Sequence, residues 1–409
     1  MVDFHTGICR GGRSAVALAI LVVLVYGLFV GLRVWFHGGD PSDCIGASTL
    51  WCDPRETPEP IKMQSNTRAY DGLFFYRLAL CPWNTDEKAF GIRFDNSSYR
   101  HQRVGYPLVC WLSNLGRPHG MAMMMIVVNL LWLGILAVVC VNWARAMCLA
   151  SWWGLLPLLW PGFLMTLGRD LCEIQAVTLL VLGCWLLFRG KMMSFALAFA
   201  GAVLTRETTV LPIAGLGFLY AGRAIRSRDA LALRKMLWWL VPAIALLGWH
   251  AFLYVQYGNW PAAARAANWS PIPFKGLFSF ILNGLPFSGT ALSSGDGGQS
   301  FRMTQFFYYA YRCMQFGLCL FVMVLTAIVL RSSKSPFLLK ISWIFAGWVF
   351  WGLTEMIFVL GPSSFLRVGV DGYVLGLLVI SAGGKLLRRL VLLALLVAWG
   401  SGFICYTMW

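Results

Sequence analysis

Long uninterrupted apolar runs separated by short basic patches dominate the chain. The runs lie near residues 14–36, 120–142, 149–168, 171–188, 192–205, 208–222, 236–257, 306–330, 341–361, 372–383 and 390–408, about eleven in all by the hydropathy expected of membrane spans. They are continuous rather than alternating, which points to helices and not to barrel strands. Most approach the roughly 20 residues that a helix needs to cross a hydrocarbon layer of about 30 Å. The runs at 192–205, 208–222 and 372–383 are shorter and read as broken or buried helices around a cavity. The pattern predicts an all-α polytopic membrane protein with about eleven transmembrane helices, built as a single integral-membrane domain over residues 1–409.

Two long segments interrupt the apolar runs, at about 37–119 and 258–305. The first carries a Pro-rich stretch from Asp53 to Pro60, then a segment in which Tyr70, Leu73, Phe74, Arg77 and Leu78 recur at helical spacing. That spacing predicts an amphipathic helix over Thr67–Cys81, stopped by Pro82 and lying in the outer interface of the membrane. Val104 to Leu115 reads as a second interfacial or re-entrant piece. In the second segment, Trp260 and Lys275 precede a patch around Ser293–Gly298 whose glycines and serines read as a mobile loop.

Composition agrees with the patterning. With 59% hydrophobic residues, 12% charged residues, 20 tryptophans and a mean hydropathy of +0.69, the chain has more apolar surface than one soluble core can hide. The net charge of +16 is concentrated in short clusters: Arg10/Arg13, Arg145, Arg189/Lys191, Arg223 to Lys235, Arg331/Lys334/Lys340 and Lys385/Arg388/Arg389. All fall on one side if the N-terminus is cytoplasmic, as basic residues flanking membrane spans do. No nucleic-acid-binding module claims the charge. The first run exceeds a signal peptide's apolar region and lacks a small-residue cleavage site, so it reads as a retained helix. Cys44, Cys52, Cys81 and Cys110 fall in the first outer segment and permit three disulfide connectivities or none. No Cys/His cluster has zinc spacing. Asn96 and Asn268 begin glycosylation sequons that matter only in a eukaryotic lumen.

Candidate chemistry concentrates in the first outer segment. Asp71 sits among aromatics in Tyr70-Asp71-Gly72-Leu73-Phe74-Phe75-Tyr76, where exclusion of water makes a carboxylate expensive and calls for a reason. Acid/base catalysis is one reason. A helix cap, or an ion pair with Arg68 or Arg77, is the competing structural one. Arg100 and Arg103, three apart, share one side of a helix, with Tyr99 and His101 beside them as hydrogen-bonding groups. Arg206 and Arg367 lie at the outer ends of apolar runs, where snorkelling or pairing with Glu207 and Asp371 competes with ligand binding. Asp170 and Glu173 form a second acidic pair at a helix start, which the helix dipole also favours. Asp95 is a reserve base in a turn-like setting.

The Tyr70-Asp71-Gly72 motif, with Phe75-Tyr76-Arg77-Leu78-Ala79 and the later Tyr99-Arg100-His101-Gln102-Arg103-Val104-Gly105-Tyr106-Pro107, resembles the first outer loop of GT-C superfamily glycosyltransferases. More narrowly it is similar to bacterial polyprenyl-phosphate-sugar-dependent enzymes of the mannosyltransferase type. The architecture resembles that family over nearly the whole chain, but the residues do so only over about 70–107 and more weakly at 169–173, 205–207 and 367. The resemblance implies an inverting transfer from a polyprenyl-phosphate sugar to a glycan or glycolipid acceptor at the periplasmic face of a bacterial inner membrane. It implies Asp71 as general base, Asp170 or Glu173 as acceptor-orienting groups, and Arg100, Arg103, Arg206, Arg367, Tyr99 and His101 as the site of the donor phosphate. No DxD motif is present, so neither a metal nor a further cofactor is expected.

One carboxylate suffices for this chemistry. The sugar already carries a good leaving group, and a single base that deprotonates the acceptor hydroxyl inverts the anomeric centre. A multi-pass transporter or flippase would place its ionisable groups nearer the membrane midplane within paired broken helices. An O-antigen ligase or polymerase would carry its large outer loop late in the chain, and a noncatalytic scaffold would have no use for Asp71. The alternating basic clusters generate a direct test. An impermeant thiol reagent on intact cells should label a cysteine introduced at Ser65 and spare one at Ser227, and the opposite result would invert the orientation and remove the outer site.

Overall fold

Lipid offers backbone N–H and C=O groups no partners, so an apolar run must satisfy its own as a helix. A computed structural model describes residues 12–64, 70–228, 230–261, 299–331, 333–351 and 364–408, with Ile272, Lys275 and Phe278 between them. It is mostly helical. The helices are α1 Gly12–Phe36, α2 Asp71–Leu80, α3 Ser97–His101, α4 Gly105–Asn114, α5 Met121–Ala146, α6 Gly162–Gly168, α7 Glu173–Phe188 and α8 Met192–Thr205. They continue as α9 Val210–Ser227, α10 Ala230–Met236, α11 Leu240–Tyr257, α12 Gln299–Val329, α13 Phe337–Trp351, α14 Ser364–Val368, α15 Val370–Ser381 and α16 Lys385–Met408.

Among the described residues, five helical stretches are long and apolar enough to cross a membrane: Ser14–Phe36, Met121–Ala146, Glu207–Ser227, Ala230–Tyr257 and Lys385–Met408. This makes the chain a multi-pass membrane protein in outline. Shorter apolar helices pack among them, and α15 is buried along its whole length. The run at 149–168 is broken. Its first part is a 3-10 helix, Ser151–Leu159, with Pro157 inside it, and α6 begins only after Pro161. Proline supplies no N–H for the helical ladder and clashes with the preceding turn, so the run cannot continue as one α-helix.

The segment at 37–119 differs from its expected form. Helix α2 starts at Asp71 and stops before Pro82, and residues 67–69 of the expected span lie outside the described residues. It has no open face of the kind expected of an interfacial helix: every residue from Gly72 to Leu80 is buried. Its neighbours are Ile45, Ala47, Cys52, Ile61, Phe94, Tyr106 and Cys110 from the same segment, with Met121, Met125 and Val128 from the start of α5. The segment thus builds a second hydrophobic core on the bundle, and the apolar faces on both sides of α2 find protein instead of lipid. By contrast α4 keeps an amphipathic character, burying Tyr106 and Cys110 while Leu112 and Leu115 stay exposed. Cys44, Cys52, Cys81 and Cys110 are all free thiols. The glycine-rich patch at 293–298 lies outside the described residues.

A buried charge cluster ties this second core to the membrane helices. Arg33, near the end of α1, donates to the carbonyl of Tyr406 in α16 at 2.5 Å and to Asp43 Oδ2 at 3.3 Å. Asp43 also faces Lys62 Nζ at 3.2 Å and His37 Nδ1 at 3.4 Å. Removing one partner from such a cluster leaves buried charge uncompensated. Asp43→Ala should therefore destabilise the protein by about 3 to 5 kcal/mol, toward the lower end because Lys62 is 36% exposed. Thermal unfolding in detergent checks this, and an unchanged midpoint would show that the cluster does not hold the outer segment in place.

Candidate functional site

The position of Asp71 is set by the glycine after it. Tyr70 has extended backbone, φ −98° and ψ 165°, and Asp71 is the first residue of α2. A Cβ on Gly72 would lie 2.4 Å from the Arg169 carbonyl oxygen and 2.8 Å from that of Ile45. Both are backbone atoms, so only glycine lets the first turn of α2 seat between the Pro41–Ile45 turn and the 169–172 turn. That seating brings Asp71 within reach of Arg367 in α14. Asp71 is not the helix cap, and Arg77 does not pair with it. Arg77 instead donates to the carbonyls of Glu87 at 3.0 Å and Ile92 at 2.9 Å and lies over the Phe94 ring. Arg68 lies outside the described residues.

Three guanidinium groups converge on the Asp71 carboxylate, each through its Nη1 atom. Arg100 Nη1 is 2.5 Å from Oδ1, Arg367 Nη1 is 2.9 Å from Oδ2, and Arg103 Nη1 is 3.9 Å from Oδ2. Asn96 caps α3, which carries Arg100, by accepting from the Tyr99 N–H at 3.2 Å, and Arg103 follows just past the end of that helix. The remaining nitrogens of Arg100 and Arg103 are already engaged, whereas Arg367 Nε has no hydrogen-bond partner among the described residues. Asp95 takes Nε and Nη2 of Arg100 at 2.6 and 2.7 Å. Glu207 takes Nε and Nη2 of Arg103 at 2.8 and 2.5 Å, and the Tyr99 hydroxyl accepts from the same Nη2 at 2.9 Å. Arg367 Nη1 also reaches Glu173 Oε1 at 3.3 Å, and its guanidinium lies over the Tyr70 ring.

Burial alone would push the Asp71 carboxyl up, but Arg100, Arg367 and Arg103 overcome it and hold the group well below the usual carboxylate range. The side chain keeps 14% of its surface exposed and the three arginines 10 to 15%, so the cluster is open on one side. Such an array binds anions or takes up a proton if its counter-ions are drawn away.

The other candidates divide. Glu173 joins the cluster through Arg367. Arg206 lies beside it, donating from Nη2 to the Val368 carbonyl at 3.1 Å, with Nη1 3.9 Å from Asp371 Oδ2. Asp170 stands apart from Glu173 in the turn before α7, in left-handed backbone with φ +47°. Neither of its oxygens has a hydrogen-bond partner among the described residues. Burial pushes its carboxyl well up, opposed only in part by Arg33. His101 faces away from the anion cluster. Its Nε2 meets the Pro82 carbonyl at 2.6 Å and its Nδ1 the Tyr257 hydroxyl at 3.0 Å, and burial pushes its pKa down to about 4. A neutral imidazole with both nitrogens committed braces α3 against α11 and has no donor left for a phosphate.

Sequence reasoning missed the roles of Asp95, Glu207 and Asp371. Asp95 is the clamp on Arg100 rather than a spare base, which the five-residue spacing could have suggested. Glu207 passes over adjacent Arg206 to pair with Arg103, 104 residues away, and Asp371 passes over Arg367 to accept from Thr208 Oγ1 at 2.8 Å. No local signal announces either exchange. Among the described residues, no group of three or more His, Cys, Asp or Glu could hold a metal ion. Comparison with known protein families, curated proteins and solved structures finds no match.

The close approach at Gly72 gives a test that needs no substrate. Gly72→Ala should lower thermal stability by about 1 to 3 kcal/mol, as overpacking against fixed backbone does. Gly248→Ala, with nothing within 4 Å of the added carbon, should leave stability unchanged or raise it. Equal behaviour of the two variants would remove the claim that Gly72 seats Asp71.

Proposed function

We propose that this chain is an inverting glycosyltransferase of the GT-C type, moving a sugar from a polyprenyl-phosphate donor to a glycan or glycolipid acceptor at the outer face of a bacterial inner membrane. The observation that carries the reading is the meeting of three arginine Nη1 atoms on one enclosed carboxylate. On this reading the chain crosses the membrane about eleven times, with the segment 151–168 as a broken crossing and the amino end in the cytosol.

The acceptor oxygen attacks C1 of the donor sugar from the face opposite the phosphate. The new bond is acceptor O to C1, and the bond that breaks is C1 to the phosphate oxygen, which leaves with the electron pair. The acceptor proton passes to Asp71. Charge developing on the departing phosphate is met by Arg100, Arg103 and Arg367. In the free protein those groups make Asp71 too weak a base for the task. A bound phosphate competes for the same Nη1 atoms, and as they turn to it the carboxylate loses its counter-ions and gains basicity. Donor binding thereby switches on the base. Asp95 and Glu207 keep their bidentate grip on Arg100 and Arg103, so the exchange involves one corner of each guanidinium.

A transporter of lipid-linked or polar solutes is favoured by one observation, the Arg206–Asp371 pair among apolar helices. Turnover separates the two readings. Asp71→Asn should lower transfer from a polyprenyl-phosphate sugar by about a hundred- to ten-thousandfold, while the donor binds at least as tightly because a competing anion is gone. In the unmodified protein the acid limb of kcat should lie at higher pH than that of kcat/KM. The first reports Asp71 in the complex, relieved of its arginines, and the second reports it in the free protein, where its pKa is depressed. Near wild-type turnover in folded Asp71→Asn would end the assignment.

A further inference from the structure

Next to the Asp71 cluster lies a second polar group that the phosphate chemistry does not use. Glu173, Arg206 and Asp371 are 1 to 2% exposed, and each is pinned by one half of its side chain while the other half has no hydrogen-bond partner among the described residues, although Arg206 Nη1 lies 3.9 Å from Asp371 Oδ2. Glu173 Oε1 accepts from Arg367, leaving Oε2. Arg206 Nη2 donates to the Val368 carbonyl, leaving Nε and Nη1. Asp371 Oδ2 accepts from the Thr208 hydroxyl, leaving Oδ1. These four atoms have no hydrogen-bond partner among the described residues. Buried polar atoms are costly to leave in that state, and charged ones more so.

The identity of the unpartnered atoms limits what can satisfy them. A second phosphate would suit Arg206 but would bring its charge against Glu173 and Asp371. An ammonium would suit the carboxylates and repel Arg206. A hydroxyl group donates to one side and accepts from the other, and a sugar ring presents several hydroxyls in a fixed array. The position agrees with this. Arg367 Nη1 is shared by Asp71 and Glu173, so the group begins one nitrogen away from the carboxylate where the reacting bond would lie.

Building on the glycosyltransferase reading, we propose that Glu173, Arg206 and Asp371 form the subsite that binds the hydroxyl groups of the donor sugar. Arg206 then recognises the sugar and not the phosphate, and Glu173 orients the donor rather than the acceptor. Thr208 is a positioning residue that fixes Asp371.

The test uses the purified full chain in lipid nanodiscs and two kinds of probe: polyprenyl phosphate alone, and polyprenyl phosphates carrying mannose, glucose, galactose or arabinose. The ratio of the two dissociation constants measures what the sugar adds. Asp371→Asn and Glu173→Gln, which preserve shape, should each reduce that ratio by about ten- to a hundredfold. Asp371→Asn should leave the affinity for sugar-free polyprenyl phosphate unchanged, and for Glu173→Gln, whose partner Arg367 also meets the phosphate, the ratio is the readout. A second measurement needs no variant: on the unmodified protein, deoxy analogues of the preferred donor should lose affinity when a bound hydroxyl is removed. Equal losses for both lipids, a ratio that survives both substitutions, or indifference to every deoxy position would overturn the subsite and leave these atoms to buried water. Absence of any sugar contribution in the unmodified protein would overturn it as well. Full turnover in Asp71→Asn, with the sugar contribution still dependent on Asp371, would sink the catalytic reading and leave the subsite standing.

Discussion

An ionised carboxylate enclosed by aromatic side chains is stable only if positive charge comes to it, and Asp71 draws that charge from distant parts of the chain. Arg100 arrives from 29 residues away and Arg367 from 296 residues away. The ion cluster therefore does more than neutralise one acid. It joins α2 and α3 to α14 and the start of α7 in the bundle, alongside the Arg33–Asp43 cluster that ties the same two hydrophobic cores together. Tyr70 lies at the same junction, with the Arg169 and Arg367 guanidinium groups each over its ring at 5.3 and 5.2 Å. Removal of any one partner would leave buried charge behind, so the position of each residue constrains the others.

The helical character of the chain was legible in the sequence because lipid permits little else, and the end of α2 was legible because Pro82 cannot extend a helix. The environment of α2 was not. Its periodicity fits an interfacial helix, but Ile45, Ile61 and Phe94 close over the face expected to meet lipid, and those contacts depend on how the whole outer segment folds. The same distinction holds for the site. The three-residue spacing of Arg100 and Arg103 predicts a common direction on one helix; α3 ends at His101, before Arg103, and both guanidinium groups still reach Asp71. Ion-pair partners were misread wherever a neighbour in sequence looked sufficient. Arg206 has Glu207 beside it and Arg367 has Asp371 one helical turn later, yet tertiary packing gives Glu207 to Arg103 and Arg367 to Asp71. Local spacing shows which pairs are reachable. It does not show which pairs the fold makes.

Asp170 illustrates a different limit. Its spacing from Glu173 suggests a shared helix face, but the helix begins only at Glu173, and the preceding turn places Asp170 in left-handed backbone on the Arg33 side. A non-glycine residue in that conformation, with both oxygens unpartnered among the described residues, is held there by its surroundings. The same turn supplies the Arg169 carbonyl that forbids a side chain at Gly72. The strained turn and the obligatory glycine are thus two sides of one contact, and that contact sets where Asp71 stands.

On the proposed reading, the cluster resolves a conflict between binding and basicity. Arginines that hold a phosphate well also weaken any carboxylate near them, so a site built from both would bind its donor and then lack a base. Here the conflict is resolved by the order of events. Asp71 occupies the Nη1 corners while the site is empty and yields them when a phosphate arrives, so the base is weakest when there is nothing to deprotonate. Asp95 and Glu207 make the exchange inexpensive, since a guanidinium gripped along one edge keeps its orientation while its free corner changes partners. Little reorganisation is then left for the transition state, which is the condition under which fixed charges contribute most to catalysis.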